Sequence, residues 1–264
     1  MELTETLWYV VVASVLCSLI PACYLDYTTR RVPLKWWAPA AYIGVPLSII
    51  LFVMKIFSYE IYVGSVFLYV GTAMMLMIIA ILLGYLNIFG GADAIALSLV
   101  ALTSFSYMDP VRMDNPFFAF IFGSNLIICC AAMFLIILIM NVVEGSYKDV
   151  KKLKDIPLLF FARRIRPQRF KTYRSIVLED VKEDVGGVIR RWFIATPMRM
   201  NEKAFDEFNS HKIADTEKYN LYLRLEKVWV MYLIPMIIPI TVAYILTVSR
   251  FDIVYIFNHM RLFG

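Results

Sequence analysis

The polar residues of this chain come in clusters, and long stretches between them carry no charge. Residues 6–25 are uncharged, and so are residues 36–54. Residues 61–92 form one uncharged run that contains Gly84 and then Gly90–Gly91. A helix needs about 20 apolar residues to cross about 30 Å of hydrocarbon, so this run is too long for one simple crossing. A turn near 84–90 divides it into a third span over 61–83 and a fourth from 87 or 88 to 107. A fifth span is predicted over 116–140 and a sixth over 228–248, where Pro235 and Pro239 predict a kink. The first run is preceded by Glu2 and Glu5 rather than by basic residues, so it reads as a retained span and not as a cleaved leader.

Between the fifth and sixth spans the pattern changes. "SIVLEDV" at 175–181 and "GVIRRWFIA" at 187–195 read as strands around an acidic, glycine-containing turn. Residues 201–213 read as a short helix capped by Asn201. "LLFFARRIRPQRFK" at 158–171 is basic and aromatic, and suits anionic headgroups as well as a plain basic loop. The predicted fold is an all-α polytopic membrane protein. It has six transmembrane helices, with a small mixed α/β cytoplasmic domain inserted before the last. The predicted organisation is a five-helix membrane region over 1–143, the extramembrane domain over 144–227, and the sixth helix with an external tail over 228–264.

Composition agrees with the pattern. Of 264 residues, 61% are hydrophobic and 18% charged, against about 45–50% apolar in an ordinary globular chain. This excludes a disordered chain and argues strongly against a water-soluble enzyme. Cys17, Cys23, Cys129 and Cys130 all lie in apolar runs, no CxxC pair occurs, and there are two histidines. Zinc, a disulfide scaffold and thioredoxin-like chemistry are therefore poorly supported, and neither metal nor cofactor is expected. The net charge of +5 would suit nucleic acid, but 22 of the 26 Lys and Arg fall in the loop after the first span and in 141–227. That distribution marks one side as cytoplasmic and puts both termini outside. No nucleic-acid motif accompanies the charge, so none is expected as a partner.

Two carboxylates border the spans on that cytoplasmic side. Asp26 closes the first span in "CSLIPACYLDYTTRRVPLKWW", and Asp93 opens the fourth in "GYLNIFGGADAIALSL". Asp109, Asp114 and Asp252 map to the opposite side. Taken singly, each has a plain reading: Asp93 as a helix-start residue and Asp26 as an interfacial residue beside Arg30 and Arg31. Taken together they have a chemistry. Two carboxylates held close share one proton. The ionised one draws a proton from a water that attacks a carbonyl carbon, and the protonated one supports the oxyanion and then the leaving amine. Small residues before Asp93 leave its backbone open to a ligand.

These strings resemble the archaeal preflagellin peptidases and, more broadly, the prepilin peptidases, membrane aspartyl proteases marked by Gly-x-Gly-Asp. Here the string is Gly90–Gly91–Ala92–Asp93, with Ala92 in place of the second glycine. That replacement would cost about 1 kcal/mol in a left-handed conformation and little otherwise. Asp26 followed by Arg30, Arg31 and Pro33 resembles the turn after the family's first span. The resemblance implies that Asp26 and Asp93 are the catalytic dyad. It also implies that the substrates are preflagellin or pilin-like precursors, cut at the cytoplasmic face of the bilayer after a short basic leader. It does not imply N-methyltransferase activity, because the cysteine-rich loop of the bacterial branch is missing. Glu179, Asp180, Glu183 and Asp184 form an acidic group that either meets such a leader or is a solvated turn. A small ion-coupled transporter would also use intramembrane aspartates, but it predicts inverted repeats and carboxylates at the bilayer midplane. A non-catalytic scaffold predicts no convergence of Asp26 and Asp93.

Overall fold

Four helices are long and apolar enough to cross a membrane among the residues that the computed structural model describes: Leu3–Thr29, Leu34–Phe57, Val66–Tyr85 and Phe118–Val143. The described residues are 2–29, 31–58, 63–86, 90–106, 118–150, 156–169, 175–183, 189–193, 216–232 and 236–249. The first long helix is α1 (Glu2–Thr29). The second begins as a 3-10 turn (Leu34–Trp37), passes through a π turn (Ala40–Gly44) and continues as α2 (Val45–Phe57). Then come α3 (Val63–Tyr85), α4 (Gly91–Thr103), a 3-10 turn (Ser104–Ser106) and α5 (Phe118–Val143). Helix α3 ends at Tyr85 and α4 begins at Gly91, so the long uncharged run is divided into two helices, as the sequence predicts. Helix α4, however, has only 13 residues, about 20 Å of rise, which is short of a full crossing.

The chain forms two units. The first comprises Met1–Cys130 and Pro235–Gly264. Its core joins Val15, Leu19 and Ala22 of α1, Ala96, Leu97 and Val100 of α4, and the last described helix, α8 (Ile237–Val248), through Ile237, Ile240 and Tyr244. Helix α8 has 12 residues, and Pro239 sits in its first turn, where no intrahelical N–H is required of it. At Pro239 the sequence predicts a kink, and the structure has a helix start instead. Several polar side chains in this core are bonded, as a low-dielectric setting favours. Ser18 Oγ accepts the Ala40 N–H at 3.0 Å, Ser48 Oγ donates to the Thr103 carbonyl at 2.9 Å, and Asn125 Nδ2 donates to Thr247 Oγ1 at 3.1 Å.

Gly44 marks a close crossing. A Cβ placed there would lie 2.6 Å from Ser14 Oγ and 3.4 Å from Thr103 Cγ2. Gly44→Ala is therefore expected to cost about 1–3 kcal/mol by overpacking, read as a lower midpoint of thermal unfolding in detergent. Ser14→Ala in the same chain should recover part of the loss; no loss in Gly44→Ala would show that the crossing is loose.

The second unit is Ala131–Ile234. It holds α6 (Leu158–Phe161), β1 (Ala162–Ile165), β2 (Ser175–Val177), β3 (Glu179–Glu183), β4 (Ile189–Phe193), α7 (Thr216–Leu223) and β5 (Val228–Tyr232). One antiparallel sheet has the order β1-β5-β2, and β3 and β4 form a second, in register Glu179↔Phe193 to Glu183↔Ile189. Both strands expected from the sequence are present, the first divided at Leu178. The helix expected over 201–213 lies outside the described residues. Val228–Tyr232 corrects the sixth span, because this apolar run is a central strand with Val228, Trp229 and Val230 buried. The fold is thus mostly helical with a small sheet region.

Candidate active site

Asp26 stands in the last turn of α1 and Asp93 in the first turn of α4. Whether they share one end of the bundle depends on helix directions, and side-chain contacts give these. The second long helix runs against α1, because Ala40 meets Ser18 and, further on, Gly44 meets Ser14 and Val15. The same helix runs with α4, because Gly44 meets Thr103 and, further on, Phe52 packs against Phe105 in a tilted pair with ring centroids 5.4 Å apart. So α1 and α4, which are themselves in contact, are antiparallel. From the level of Gly44, Asp26 lies eleven residues beyond Val15 and Asp93 ten residues before Thr103, about 16 Å and 15 Å of helix rise. The structure brings both carboxylates to one end of the bundle, level to within a turn.

Local chemistry holds each in place. Asp93 occupies the third position of α4, and its Oδ2 accepts the Gly90 N–H at 3.1 Å. Free N–H groups at a helix start favour a negative charge there. Ala92 lies inside α4 in right-handed conformation, so an alanine at this position carries no backbone penalty. Ala92→Gly is expected to keep the cleavage rate while lowering stability by up to about 1 kcal/mol. Turnover alongside a melting curve checks this, and complete loss of activity would contradict it.

Asp26 is partly buried, with Oδ2 withdrawn from solvent. One turn earlier, Ala22 is fully buried against the shared core, and Cys23 Sγ lies 2.9 Å from Thr241 Oγ1 and 3.4 Å from the Ile237 carbonyl of α8. The C-terminal helix thereby braces the turn that presents Asp26. Beyond it, Thr28 and Thr29 return their hydroxyls to the Tyr24 and Leu25 carbonyls at 2.7 and 2.9 Å, closing the helix end.

Sequence reasoning missed one position. Gly84 reads as a turn residue, but it lies inside α3, where an added Cβ would meet Ala94 Cβ at 2.9 Å. Ala94 follows Asp93, so the absent side chain of Gly84 sets how closely α3 packs beside the carboxylate. The only sequence signal was a glycine six residues before Gly90. The proposed acidic group fares differently. Glu179 is buried and Glu183 pairs with Arg224 at 2.8 Å, while Asp184 lies outside the described residues. Arg31 is exposed; Arg30, Asp109, Asp114 and Asp252 lie outside the described residues.

Comparison with known proteins adds an independent segment. The family model Archaeal Peptidase A24 C-terminus Type II matches residues 154–253, which include both small sheets and α8 but neither aspartate. An uncharacterized protein of Methanocaldococcus jannaschii is 26% identical over 243 residues, 92% of this chain and 78% of that protein. The matched region is separate from the strings around Asp26 and Asp93 that carry the resemblance.

Proposed function

We propose that this chain is a membrane aspartyl endopeptidase that removes the short basic leader from preflagellin or related pilin-like precursors. The observation that carries this reading is the arrival of Asp26 and Asp93 at one end of two antiparallel, touching helices. The A24 match supports peptidase chemistry from elsewhere in the chain. In this reading the shared end faces the cytoplasm, with both termini outside, because the basic residues concentrate there. The precursor's hydrophobic helix enters the bilayer beside the enzyme, and its leader stays in water at the level of the dyad.

Asp93, at a helix start and holding the Gly90 N–H, is placed to act as the base. Asp26, at the last turn of α1 where carbonyls point outward, carries the shared proton. Asp93 takes a proton from water as its oxygen attacks the scissile carbonyl carbon. Asp26 hydrogen-bonds the developing oxyanion. The C–N bond then breaks as Asp26 gives its proton to the leaving nitrogen, and the proton that Asp93 took from water restores the shared proton of the dyad, leaving a carboxylate and a new amino terminus. Residues 144–227 form the cytoplasmic domain in this reading and, with the acidic group partly buried or paired, present the precursor by another surface.

The test is incubation of the purified chain with candidate precursors, followed by N-terminal sequencing of the product. A new terminus at the junction of leader and hydrophobic helix is expected. Uptake of an ion or solute by proteoliposomes, without cleavage of any precursor, would favour a transporter instead.

A further inference from the structure

Helix α5 has 26 residues without a charge, about 39 Å of rise. This exceeds a hydrocarbon core of about 30 Å. With the excess shared between its ends, the inner hydrocarbon boundary falls about three residues inside Val143, near Met140. The segment after α5 turns back along it. Arg163 pairs with Glu144, just beyond the helix end. Asn141 Nδ2 donates to the Leu159 and Ala162 carbonyls at 2.8 and 2.7 Å. The Phe161 ring packs on Phe134, centroids 4.9 Å apart, at a residue about 9 Å below that boundary. Residues 158–161 therefore reach the depth of the acyl chains.

A backbone at that depth has to satisfy its polar groups without water. Helix α6, of four residues, is too short to do so alone. Asn141 supplies the missing donors: it is fully buried on α5, and both its amide hydrogens go to α6 and β1. Ala162 enters the sheet against Met231, and the Leu159 and Phe160 N–H groups bond to Ile156 and Pro157. Phe161 is nonetheless 41% exposed, and Ile156 and Val143 are exposed beside the same turn. Exposed cations follow the apolar residues on either side, Lys148 before them and Arg166 after. Apolar residues at acyl depth under a layer of cations match an anionic bilayer surface.

We propose that residues 156–166 form a membrane-inserted anchor, with Ile156 and Phe161 in the acyl region and Lys148 and Arg166 on anionic headgroups. The anchor fixes the second unit at the bilayer surface. This inference rests on α5 spanning the membrane and is independent of the peptidase assignment.

Spin labels on the full-length chain, its four native cysteines replaced, test it in vesicles of phosphatidylcholine with or without phosphatidylglycerol. Labels are placed singly at residues 156, 161, 135 and 182. The label at Leu135, exposed on α5, should be open to oxygen and closed to a water-soluble nickel chelate, which verifies the span itself. The label at Lys182, exposed in the sheet region, should be open to the chelate. Labels at 156 and 161 are expected to follow 135. Their oxygen-to-chelate ratio should rise with phosphatidylglycerol and lose that rise in Lys148→Gln/Arg166→Gln. A 135 label in lipid with 156 and 161 labels as open to the chelate as 182 overturns the anchor. So do labels closed to both agents, which would mean that protein covers the patch. A ratio indifferent to phosphatidylglycerol removes the anionic headgroups from the proposal.

Discussion

Asp26→Asn and Asp93→Asn are each expected to lower precursor cleavage by about a thousandfold or more. The estimate follows from the usual size of general acid–base catalysis, about 10²–10⁴-fold, for a group that in the proposed mechanism serves in both halves of the reaction. In the proposed mechanism the two variants fail alike, because an amide at either place ends the sharing of one proton between two carboxylates. Folding should survive. Asparagine has nearly the same shape, and at Asp93 its side-chain oxygen can still accept the Gly90 N–H. The measurement is single-turnover cleavage by purified variants, with unfolding midpoints recorded in the same detergent. Either variant cleaving at the parent rate would remove that aspartate from the dyad. Loss of both activity and the folded state would instead show a structural role.

The second large effect is expected at a residue that bears no chemistry. Gly84→Ala puts a methyl group where Ala94 Cβ is 2.9 Å away, and among the described residues, the backbone of its own helix aside, nothing else lies within 4 Å of that new atom. Helices α3 and α4 must then separate by several tenths of an ångström, and the turn carrying Asp93 moves with Ala94. Misplacing a catalytic group by about 1 Å can cost on the order of 10²-fold. A tenfold to hundredfold fall in turnover is the expected order, with a smaller change in KM. Because Ala94 Cβ is the one close contact among the described residues, Ala94→Gly in the same chain should restore most of the rate. A Gly84→Ala chain with parental turnover would show that α4 shifts without moving Asp93. A loss that Ala94→Gly does not relieve would point to some other consequence of the added methyl.

That pair illustrates what could be read in advance. Asp93 was legible because a charge at the edge of an uncharged run is conspicuous, and because the small residues before it suggest an open backbone. Gly84 was not, since a glycine near a turn looks the same whether it makes the turn or admits a neighbouring helix. Its role depends on which residue faces it, and Ala94 is identified only by packing. Cys23 is similar. It reads as a buried thiol in an apolar helix, and only the fold sets Thr241, 218 positions away, against it. The start of the sixth span was misplaced for a different reason. Val228–Tyr232 is apolar and short, and five such residues suit a buried strand as well as the start of a helix. Pairing with β1 and β2 decided for the strand.

What the sequence determined by itself is the one-dimensional part of the problem. The cost of placing charge in hydrocarbon is paid residue by residue, so uncharged runs mark the membrane helices and basic clusters mark a side. From that alone Asp26 and Asp93 fall at one membrane face. The tertiary structure decided everything that depends on fit between distant surfaces: that α1 and α4 touch and run antiparallel, that α4 and α8 are too short to cross alone, and that Gly84 admits Ala94. Such contacts arise from shape complementarity in close-packed interiors, where a single methyl group matters. No local pattern of polarity encodes them.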